Sequence, residues 1–577
     1  MSRGRSAASD EPLTLVVGDD ALAISTAAEI CRLPDHRVTV VAALGEEFAK
    51  AAIAAGADFV AGRADTSEVL DRAGVDGATT IIAVSRDDQL NLHAALLARD
   101  ANPRIRIVLR QFNRTLAHKI EQNLPDTAVL SLAWHSAASY AATALDPSCF
   151  HGLQFPGPDG PLTGFVERIA AEEDFVGRSV AEVEATLGAR VVAVNGDMMV
   201  DRQSRIPWRA RVCLYGTIEH LMRSAPAAEP GGTAAPSARA AKVRSCVRWR
   251  FVRANPYLWS FAGSVFFLFS LGTWHFRVAF DTDWLTAAYF VLSTMTTTGY
   301  GDITPHRDDV VDVVMAMMLM TAGVIFTGVF IAFAASMLTR AQWVRTQGLR
   351  PIKRRDHIVV CGAGSIGSGV IELLLQFRKP LVVVEAVPDS AMVERARDLG
   401  FDLLTGDASR DDTLDLCNLE AAHSLIALTN VDTLNLEIAL GARARNPNMP
   451  VVLRIAEASF AASIARHFDF RTTYSAAALA APAFAGLARM PGARGRITFG
   501  GQEFAIAEYR LQDDGSAHLP SGAIPIAVAR DNRLVLVHEL AELRPDSRVL
   551  VLVPLVQFER DDMPAEPQVD AAIRAIS

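Results

Sequence analysis

The chain has 577 residues, half of them hydrophobic, and a formal net charge of −9. This length leaves room for several domains, and the acidic balance does not suggest a nucleic-acid partner. Six cysteines occur without metal-ligand or disulfide spacing, so we expect reduced cytosolic thiols. Residues 1–10 are predicted to be disordered, and the opening segment has no apolar stretch of the kind that marks a cleaved signal peptide.

The first predicted domain is an α/β domain over residues 11–150. A buried strand ending at Val17 leads into a loop and helix where a dinucleotide-binding protein would carry three glycines. Only the first glycine is present, in the run Gly18-Asp19-Asp20-Ala21-Leu22-Ala23. Two carboxylates there would repel a pyrophosphate, so we expect this domain to keep the fold and to bind a dinucleotide poorly. The alternative is a cation held by Asp19 and Asp20.

Charge and composition predict how the middle of the chain meets a membrane. Residues 224–238 are rich in Ala, Pro and Gly, which predicts a slack linker. The basic segment 239–256 is expected to lie along the inner membrane surface. Basic residues are also frequent in the predicted linker 340–356, whereas the loops between the two apolar segments are acidic. The positive-inside rule therefore predicts two spans in the plasma (inner) membrane with both termini in the cytoplasm.

A pore domain is predicted over 257–339. Its outer helix (257–276) and inner helix (310–339) are apolar and long enough to cross a bilayer. The pore helix between them (284–296) is too short to cross, and it leads into the filter motif (297–302) Thr297-Thr298-Gly299-Tyr300-Gly301-Asp302. In the T-x-G-Y-G-D motif, backbone carbonyls and a threonine hydroxyl replace the hydration shell of K⁺. We expect the ion to contact the carbonyls of residues 297–300 and the hydroxyl of Thr297.

Other residues of the pore domain are candidates for gating and filter support. Gly323 and Gly328 in the inner helix are candidate gating hinges, because glycine lowers the cost of bending a helix. Close packing against a neighbouring helix would explain glycine equally well. Tyr289 and Phe290 are predicted to supply an aromatic cuff around the filter.

The second α/β domain, residues 357–490, carries a complete dinucleotide-binding fingerprint. A buried strand leads into the glycine loop Gly362-Ala363-Gly364-Ser365-Ile366-Gly367. A helix is predicted over Ser368–Phe377, and the next strand ends at Glu385. That carboxylate can accept hydrogen bonds from a ribose diol. The alternative is a helix-packing turn whose glycines serve only close contact.

The two α/β domains form an internal repeat. Gly18 matches Gly362 and Arg110 matches Arg454 at one offset, 344 residues (362 − 18 and 454 − 110). Continued without a gap, this offset pairs Val41 with Glu385 and Arg63 with Asp407. The first copy would therefore lack the ribose acceptor.

These motifs resemble the regulator-of-potassium-conductance (RCK, KTN or TrkA-like) domains and the pore of two-transmembrane potassium channels. The resemblance implies a membrane α-helical pore of the tetrameric channel fold, flanked by two cytoplasmic Rossmann-like RCK domains. Each would carry a smaller α+β lobe, at 151–223 and at 491–577. It also implies that NAD(H) or ATP/ADP lies over the glycine loop, in a site completed by Glu385, Asp407, Ala408, Thr429 and Asn430. Two departures are an RCK domain before the pore and Ser293 where some relatives have glutamate.

The resemblance also implies an assembly and a mechanism. Four chains must surround one axis, because each supplies a quarter of a filter. This homotetramer, in contact with membrane lipid, would bring eight RCK domains into one ring, four of them competent to bind nucleotide. We expect a nucleotide-gated potassium channel with no catalytic residues. The alternatives are a channel gated by a divalent cation, a non-conducting nucleotide sensor, or a membrane-bound nicotinamide oxidoreductase.

Overall fold

The structure is a computed structural model, and the residues it describes are 11–32, 36–43, 45–157, 159–170, 175–198, 200–223, 256–305, 309–346, 351–490, 492–511, 519–520, 522–530, 533–536 and 547–555. The predicted disordered segment 1–10, the linker 224–238 and nearly all of the basic segment lie outside these residues. The chain divides into two compact units. The first comprises residues 1–226 and 349–577, and the second comprises residues 227–348.

The first α/β domain is a six-stranded parallel sheet with strand order β3-β2-β1-β4-β5-β6. Its strands are β1 (Leu13–Val17), β2 (Arg37–Ala42), β3 (Asp58–Ala61), β4 (Ala78–Ala83), β5 (Arg106–Arg110) and β6 (Thr127–Leu130). Its helices are α1 (Ala21–Cys31), α2 (Glu46–Ala54), α3 (Ser67–Arg72), α4 (Asp88–Ala101), α5 (Arg114–Asn123) and α6 (Leu132–Leu145). Strand β1 is an apolar run without alternation because Val16 packs into one core and Leu15 into another, on opposite faces of the sheet.

A four-stranded antiparallel sheet follows, with strand order β7-β8-β10-β9. It contains β7 (Cys149–Gln154), β8 (Leu162–Ile169), β9 (Arg190–Val194) and β10 (Arg211–Thr217), with helices α7 (Val180–Leu187) and α8 (Ile218–Arg223). Helix α7 begins with a capping box between Ser179 and Glu182. This sheet lies in the stretch where the sequence predicts a small lobe.

In the described residues of the second unit there are three helices, α9 (Pro256–Ala279), α10 (Trp284–Met295) and α11 (Val310–Thr346). Phe276, Phe290 and Leu319 meet in its core, so all three helices share one apolar contact region. Helix α11 runs past the predicted end at residue 339 and into the segment expected to be a linker. Among the described helices, Val310–Ala332 is the one stretch long and apolar enough to cross a membrane, with a mean hydropathy of 2.2.

The second α/β domain repeats the first, with strand order β13-β12-β11-β14-β15-β16. Its strands are β11 (His357–Cys361), β12 (Leu381–Glu385), β13 (Asp402–Thr405), β14 (Ala422–Ala427), β15 (Val451–Arg454) and β16 (Thr473–Tyr474). Its helices are α12 (Ser365–Leu374), α13 (Ser390–Leu399), α14 (Asp411–Leu416), α15 (Asp432–Arg445), α16 (Ala458–Phe468) and α17 (Ala476–Leu487). The start predicted for α12 at Ser368 is wrong by three residues, because Gly364 already serves as its N-cap.

A five-stranded antiparallel sheet completes the first unit, with strand order β17-β18-β21-β19-β20. It contains β17 (Ala493–Phe499), β18 (Gln502–Arg510), β19 (Ile524–Arg530), β20 (Arg533–Leu536) and β21 (Arg548–Pro554). Residues 556–577 of the predicted second lobe lie outside the described residues.

The strand pairing corrects the ungapped alignment of the two copies. Val17 of β1 pairs with Val41, whereas Cys361 of β11 pairs with Val384. The counterpart of Glu385 is therefore Ala42 rather than Val41. One residue fewer separates β11 from β12, so the offset in this strand is 343 residues (385 − 42) rather than 344. Since Ala42 is also apolar, the first copy still lacks the carboxylate expected to meet a ribose.

The last helix of each α/β domain packs against the other copy. Helix α6 of the first copy packs on α12 of the second, and α17 of the second packs on α1 of the first. Gly369 permits the close approach, because a Cβ added there would lie 3.1 Å from the Cβ of Ala137. Tyr140 also donates a hydrogen bond of 3.0 Å to the carbonyl of Tyr474. The first helix of each copy therefore packs against a helix of the other copy.

Candidate functional site

The pore helix α10 is fixed at both ends. Asp283 caps its N-terminus by accepting hydrogen bonds from the amides of Leu285 and Thr286, at 3.1 and 3.3 Å. At its other end, the carbonyl of Ser293 accepts hydrogen bonds from the amides of Thr298 and Gly299, at 3.0 and 3.2 Å. The filter segment thus continues directly from the helix, beside its partially negative carboxyl end, which favours cations.

The backbone of the filter segment alternates in the sign of φ. Thr297, Gly299 and Gly301 have φ values of +59°, +52° and +74°, and the residues between them are not left-handed. Such alternation turns successive carbonyl oxygens toward one side, as a stack of ion-binding oxygens requires. Within the part of the chain that the structure describes, a Cβ at either glycine would meet nothing within 4 Å. The backbone angle, rather than crowding, therefore explains the two glycines.

Tyr289 supports the outer end of the filter. Its hydroxyl donates a hydrogen bond of 2.9 Å to a carboxylate oxygen of Asp302. Its ring stacks on that of Tyr300, with centroids 6.3 Å apart and planes 7° apart. Phe290, the other predicted cuff residue, packs instead against Phe276 and Phe280. The sequence did not reveal Tyr289 as the partner of Asp302, because it indicated only an aromatic cuff at this residue.

The two hinge candidates in α11 differ in their surroundings. A Cβ at Gly323 would lie 2.2 Å from the carbonyl oxygen of Met295 at the end of the pore helix. Close packing, the alternative raised from the sequence, therefore explains glycine at this position. At Gly328 a Cβ would meet nothing within 4 Å among the described residues. Packing among the described residues therefore does not explain why position 328 is a glycine.

The glycine loop lies at the carboxyl edge of the second parallel sheet. Gly362 has φ of +96°, and a Cβ there would approach the backbone nitrogen of Thr429 to 3.0 Å. A Cβ at Gly367 would lie 2.1 Å from the carbonyl oxygen of Gly362. The fold itself therefore requires the first and third glycines of the motif.

The middle glycine has no such explanation. Gly364 is exposed, its φ of −62° suits any residue, and a Cβ would meet nothing within 4 Å in the described chain. It caps α12 without a side-chain hydrogen bond, so the first amides of the helix face outward. A helix N-terminus approached by backbone alone is suited to an anion such as phosphate.

Glu385 lies beside this loop. Its carboxylate accepts hydrogen bonds from the amide of Ala363 at 2.7 Å and from that of Val387 at 3.3 Å. The carboxylate is half-buried at the end of β12, with oxygen lone pairs left for a hydroxyl donor. Its position fits the predicted role as an acceptor for a ribose diol.

The remaining predicted site residues follow neighbouring strands at the same edge. Asp407 and Ala408 follow β13, and the carboxylate of Asp407 accepts hydrogen bonds from the amide and hydroxyl of Ser409. Thr429 follows β14, and its hydroxyl donates to the side chain of Asn435 at 2.7 Å. Asn430 is exposed beside it. Of these residues, Thr429 approaches the glycine loop directly, through its backbone contact with Gly362.

Arg454, at the end of β15, was noticed in the sequence only as a repeated residue. Its Nη1 lies 3.3 Å from the carbonyl oxygen of Thr429, and Asn435 bonds to the backbone carbonyls of both residues. The arginine thus belongs to the same edge of the sheet. The sequence signal that could have found it was its repetition, since Arg110 stands at the equivalent position of the first copy.

In the first copy, protein groups already bind the two aspartates. Asp19 accepts hydrogen bonds from the hydroxyl of Ser85 and the amide of Arg86, at 3.0 and 3.1 Å. Asp20 pairs with Arg110 at 2.8 Å. No cluster of three metal-ligating side chains occurs among the described residues. The contacts of Asp19 and Asp20 are therefore those of structural residues, and the cation alternative loses its support.

Comparison with known proteins assigns both parts of the chain. Residues 14–131 and 358–471 match the TrkA-N domain family, and residues 256–340 match the family described as Ion channel. The two TrkA-N matches lie on either side of the pore match in sequence. The chain therefore carries one Ion channel domain and two TrkA-N domains. This combination is similar to that expected of potassium channels with RCK domains.

Curated relatives share part of the chain. Potassium channel protein 1 of Methanocaldococcus jannaschii is 28% identical over 179 residues, which cover 30% of this chain and 53% of the relative. The voltage-gated potassium channel Kch of Escherichia coli is 26% identical over 183 residues, covering 30% and 42%. The chain thus spans about half or less of the length of these relatives. The solved structure of a GsuK channel bound to NAD aligns with 98% of this chain and with 79% of its own chain, at 13% identity and a TM-score of 0.48.

Proposed function

We propose that the chain forms a potassium-selective channel that is opened or closed by a nucleotide bound at the glycine loop. The observation that carries the proposal is the filter, a T-x-G-Y-G-D motif anchored to a capped pore helix with left-handed glycines. Backbone carbonyls of Thr297, Thr298, Gly299 and Tyr300, together with the hydroxyl of Thr297, would coordinate K⁺. Carbonyl dipoles of this kind replace the hydration shell of the ion.

Helix α11 contains the stretch long and apolar enough to span, and exposed apolar side chains support a second span in α9. Phe266 and Phe267 of α9 are 72% and 64% exposed, and Val324 and Phe330 of α11 are 61% and 65% exposed. Water would make such extensive apolar exposure unfavourable, whereas lipid would not. We place both helices across the plasma (inner) membrane, with both termini in the cytoplasm as the distribution of basic residues predicts.

Matching surfaces on the two copies support a ring of RCK domains. Leu96 and Leu116 of the first copy are 40% and 39% exposed, and their repeat partners Leu440 and Phe460 are 42% and 39% exposed. Equivalent apolar patches on equivalent faces are suited to contacts between like domains. We propose a homotetramer with eight RCK domains, four of which bind nucleotide.

NAD(H) or an adenine nucleotide is the proposed regulatory ligand. The amides at the start of α12, after Gly364, would donate hydrogen bonds to the phosphate, and Glu385 would accept hydrogen bonds from the ribose hydroxyls. Shifting a channel from about 1% to 99% open requires about 5.5 kcal/mol of differential binding, which is about 1.4 kcal/mol for each of four sites. Helix α11 ends at Thr346 and β11 begins at His357, so this short connection would carry strain from the second copy to the inner helix.

Potassium flux tests this proposal. The full chain in potassium-loaded liposomes should conduct K⁺, and NADH or ADP should change the rate of flux. Gly299→Ala should abolish flux, because an L-residue resists the left-handed angle. Gly177→Ala is a matched control, since Gly177 has φ of +76° and equally open surroundings outside the pore domain. Absence of K⁺ flux from folded wild-type protein, with and without nucleotide, would contradict the proposal.

A further inference from the structure

In the first copy, the carboxylate of Asp20 lies where a nucleotide phosphate would bind in the second copy. Asp20 is the N-cap of α1, and its carboxylate accepts a hydrogen bond of 3.0 Å from the amide of Leu22. Arg110 donates to the same carboxylate at 2.8 Å, and Arg86 approaches it at 3.4 Å. The side chain of Asp20 is only 7% exposed. A helix N-terminus and an arginine therefore enclose one buried negative charge.

The second copy keeps both of these partners but not the carboxylate. Gly364 occupies the position of Asp20 at the N-terminus of α12. Arg454 Nη1 lies 3.5 Å from the carbonyl oxygen of Leu428, just as Arg110 Nη1 lies 3.1 Å from that of the equivalent Val84. In the part of the chain that the structure describes, Arg454 forms no ion pair. The guanidinium is thus held as in the first copy, beside a position that lacks its anion.

We propose that Arg454 binds a phosphate of the regulatory nucleotide, and that the Asp20 carboxylate is its built-in substitute in the first copy. This inference rests on the proposed nucleotide site. The N–H groups of arginine match phosphate oxygens in geometry and charge. The ligand class is then a nucleotide with at least one phosphate on its ribose, and a nucleoside cannot satisfy Arg454. The first copy is held permanently in the state with its anion site filled.

Binding of ADP and adenosine to the purified full-length protein tests this assignment. Arg454→Gln should weaken ADP binding by at least about tenfold, because hydrogen bonds to charged groups contribute strongly. Adenosine binding should change by less than about twofold, since adenosine offers no phosphate to the arginine. Arg110→Gln is the matched control from the first copy and should leave ADP affinity unchanged.

A second variant tests the substitution directly and does not remove Arg454. Gly364→Asp introduces a carboxylate into open space, at an angle that any residue adopts. It should pair with Arg454, raise the melting temperature and weaken ADP binding by at least about tenfold. Unchanged ADP affinity in both variants, or equal losses for ADP and adenosine, would overturn the inference. If the wild type bound neither compound, the nucleotide site itself would fail.

Discussion

The three glycines of the loop should respond differently to alanine, and that difference separates ligand binding from helix packing. At Gly367 the added Cβ would lie 2.1 Å from the backbone oxygen of Gly362. A backbone carbonyl cannot rotate away as a side chain can, so overpacking should cost about 1–3 kcal/mol of stability. The gain in helix propensity, up to about 1 kcal/mol, is too small to offset it.

Gly364→Ala should behave in the opposite way. No described atom lies within 4 Å of the added Cβ, so the stability loss is limited to the weaker N-cap, about 0.5–1 kcal/mol. A methyl group there would still hold a phosphate away from the helix amides, and we expect ADP affinity to fall about tenfold or more.

The assay combines thermal unfolding of the full-length protein with equilibrium binding of ADP. We expect Gly367→Ala to lower the melting temperature clearly, and Gly364→Ala to lower it little while losing affinity. Normal ADP binding by Gly364→Ala would show that the open space at this glycine is not needed for the ligand, and it would favour a loop that serves only helix packing.

Three further predictions concern the pore domain and the buried histidine His151 of β7. Gly323→Ala should reduce K⁺ flux, because the added methyl group would displace the end of the pore helix at Met295. Gly328→Ala should instead alter the open probability in single-channel recordings without lowering stability. Equal effects of the two variants would contradict the assignment of Gly323 to packing. Tyr289→Phe removes the hydrogen bond to Asp302 and keeps the stacking on Tyr300. The filter should lose about 1 kcal/mol of stability, which would be measured as a faster loss of current. Unchanged currents would show that this hydrogen bond does not support the filter. Burial lowers the pKa of His151 to about 4, so the unfolded state binds its proton first and stability should fall as pH drops from about 6.5 to 4. At pH 5 the lowered pKa of His151 should reduce the free energy of unfolding by about 2 kcal/mol. His151→Phe should therefore make the fall in stability toward acid pH less steep. An unfolding profile identical to that of the wild type would contradict this prediction.

The sequence predicted the repeated α/β architecture well because its signals are local. Apolar strands such as residues 357–361 are buried on both faces of a parallel sheet, and glycines follow them where the chain turns. The T-x-G-Y-G-D motif could also be recognised, since carbonyl geometry restricts the choice of residues, and its role as a selectivity filter stays a prediction. The pore helix ends at Met295, one residue from the prediction.

Features set by distant contacts were not predictable in this way. The packing of α6 and α17 against the other copy joins helices hundreds of residues apart, for which no local pattern exists. The one-residue shift at Ala42 is visible only from strand pairing with β1. The role of Asp20 required its contact with Arg110, and the sequence alone left repulsion and cation binding as competing explanations.

We propose that carbonyl oxygens near Tyr300 select potassium, and the reversal potential under bi-ionic conditions measures that selectivity. With K⁺ on one side of a bilayer and Na⁺ on the other, the reconstituted full-length protein should give a reversal potential close to that of a membrane permeable to K⁺ alone. A reversal potential near zero in a conducting protein would show that the two ions pass equally, and it would contradict the account.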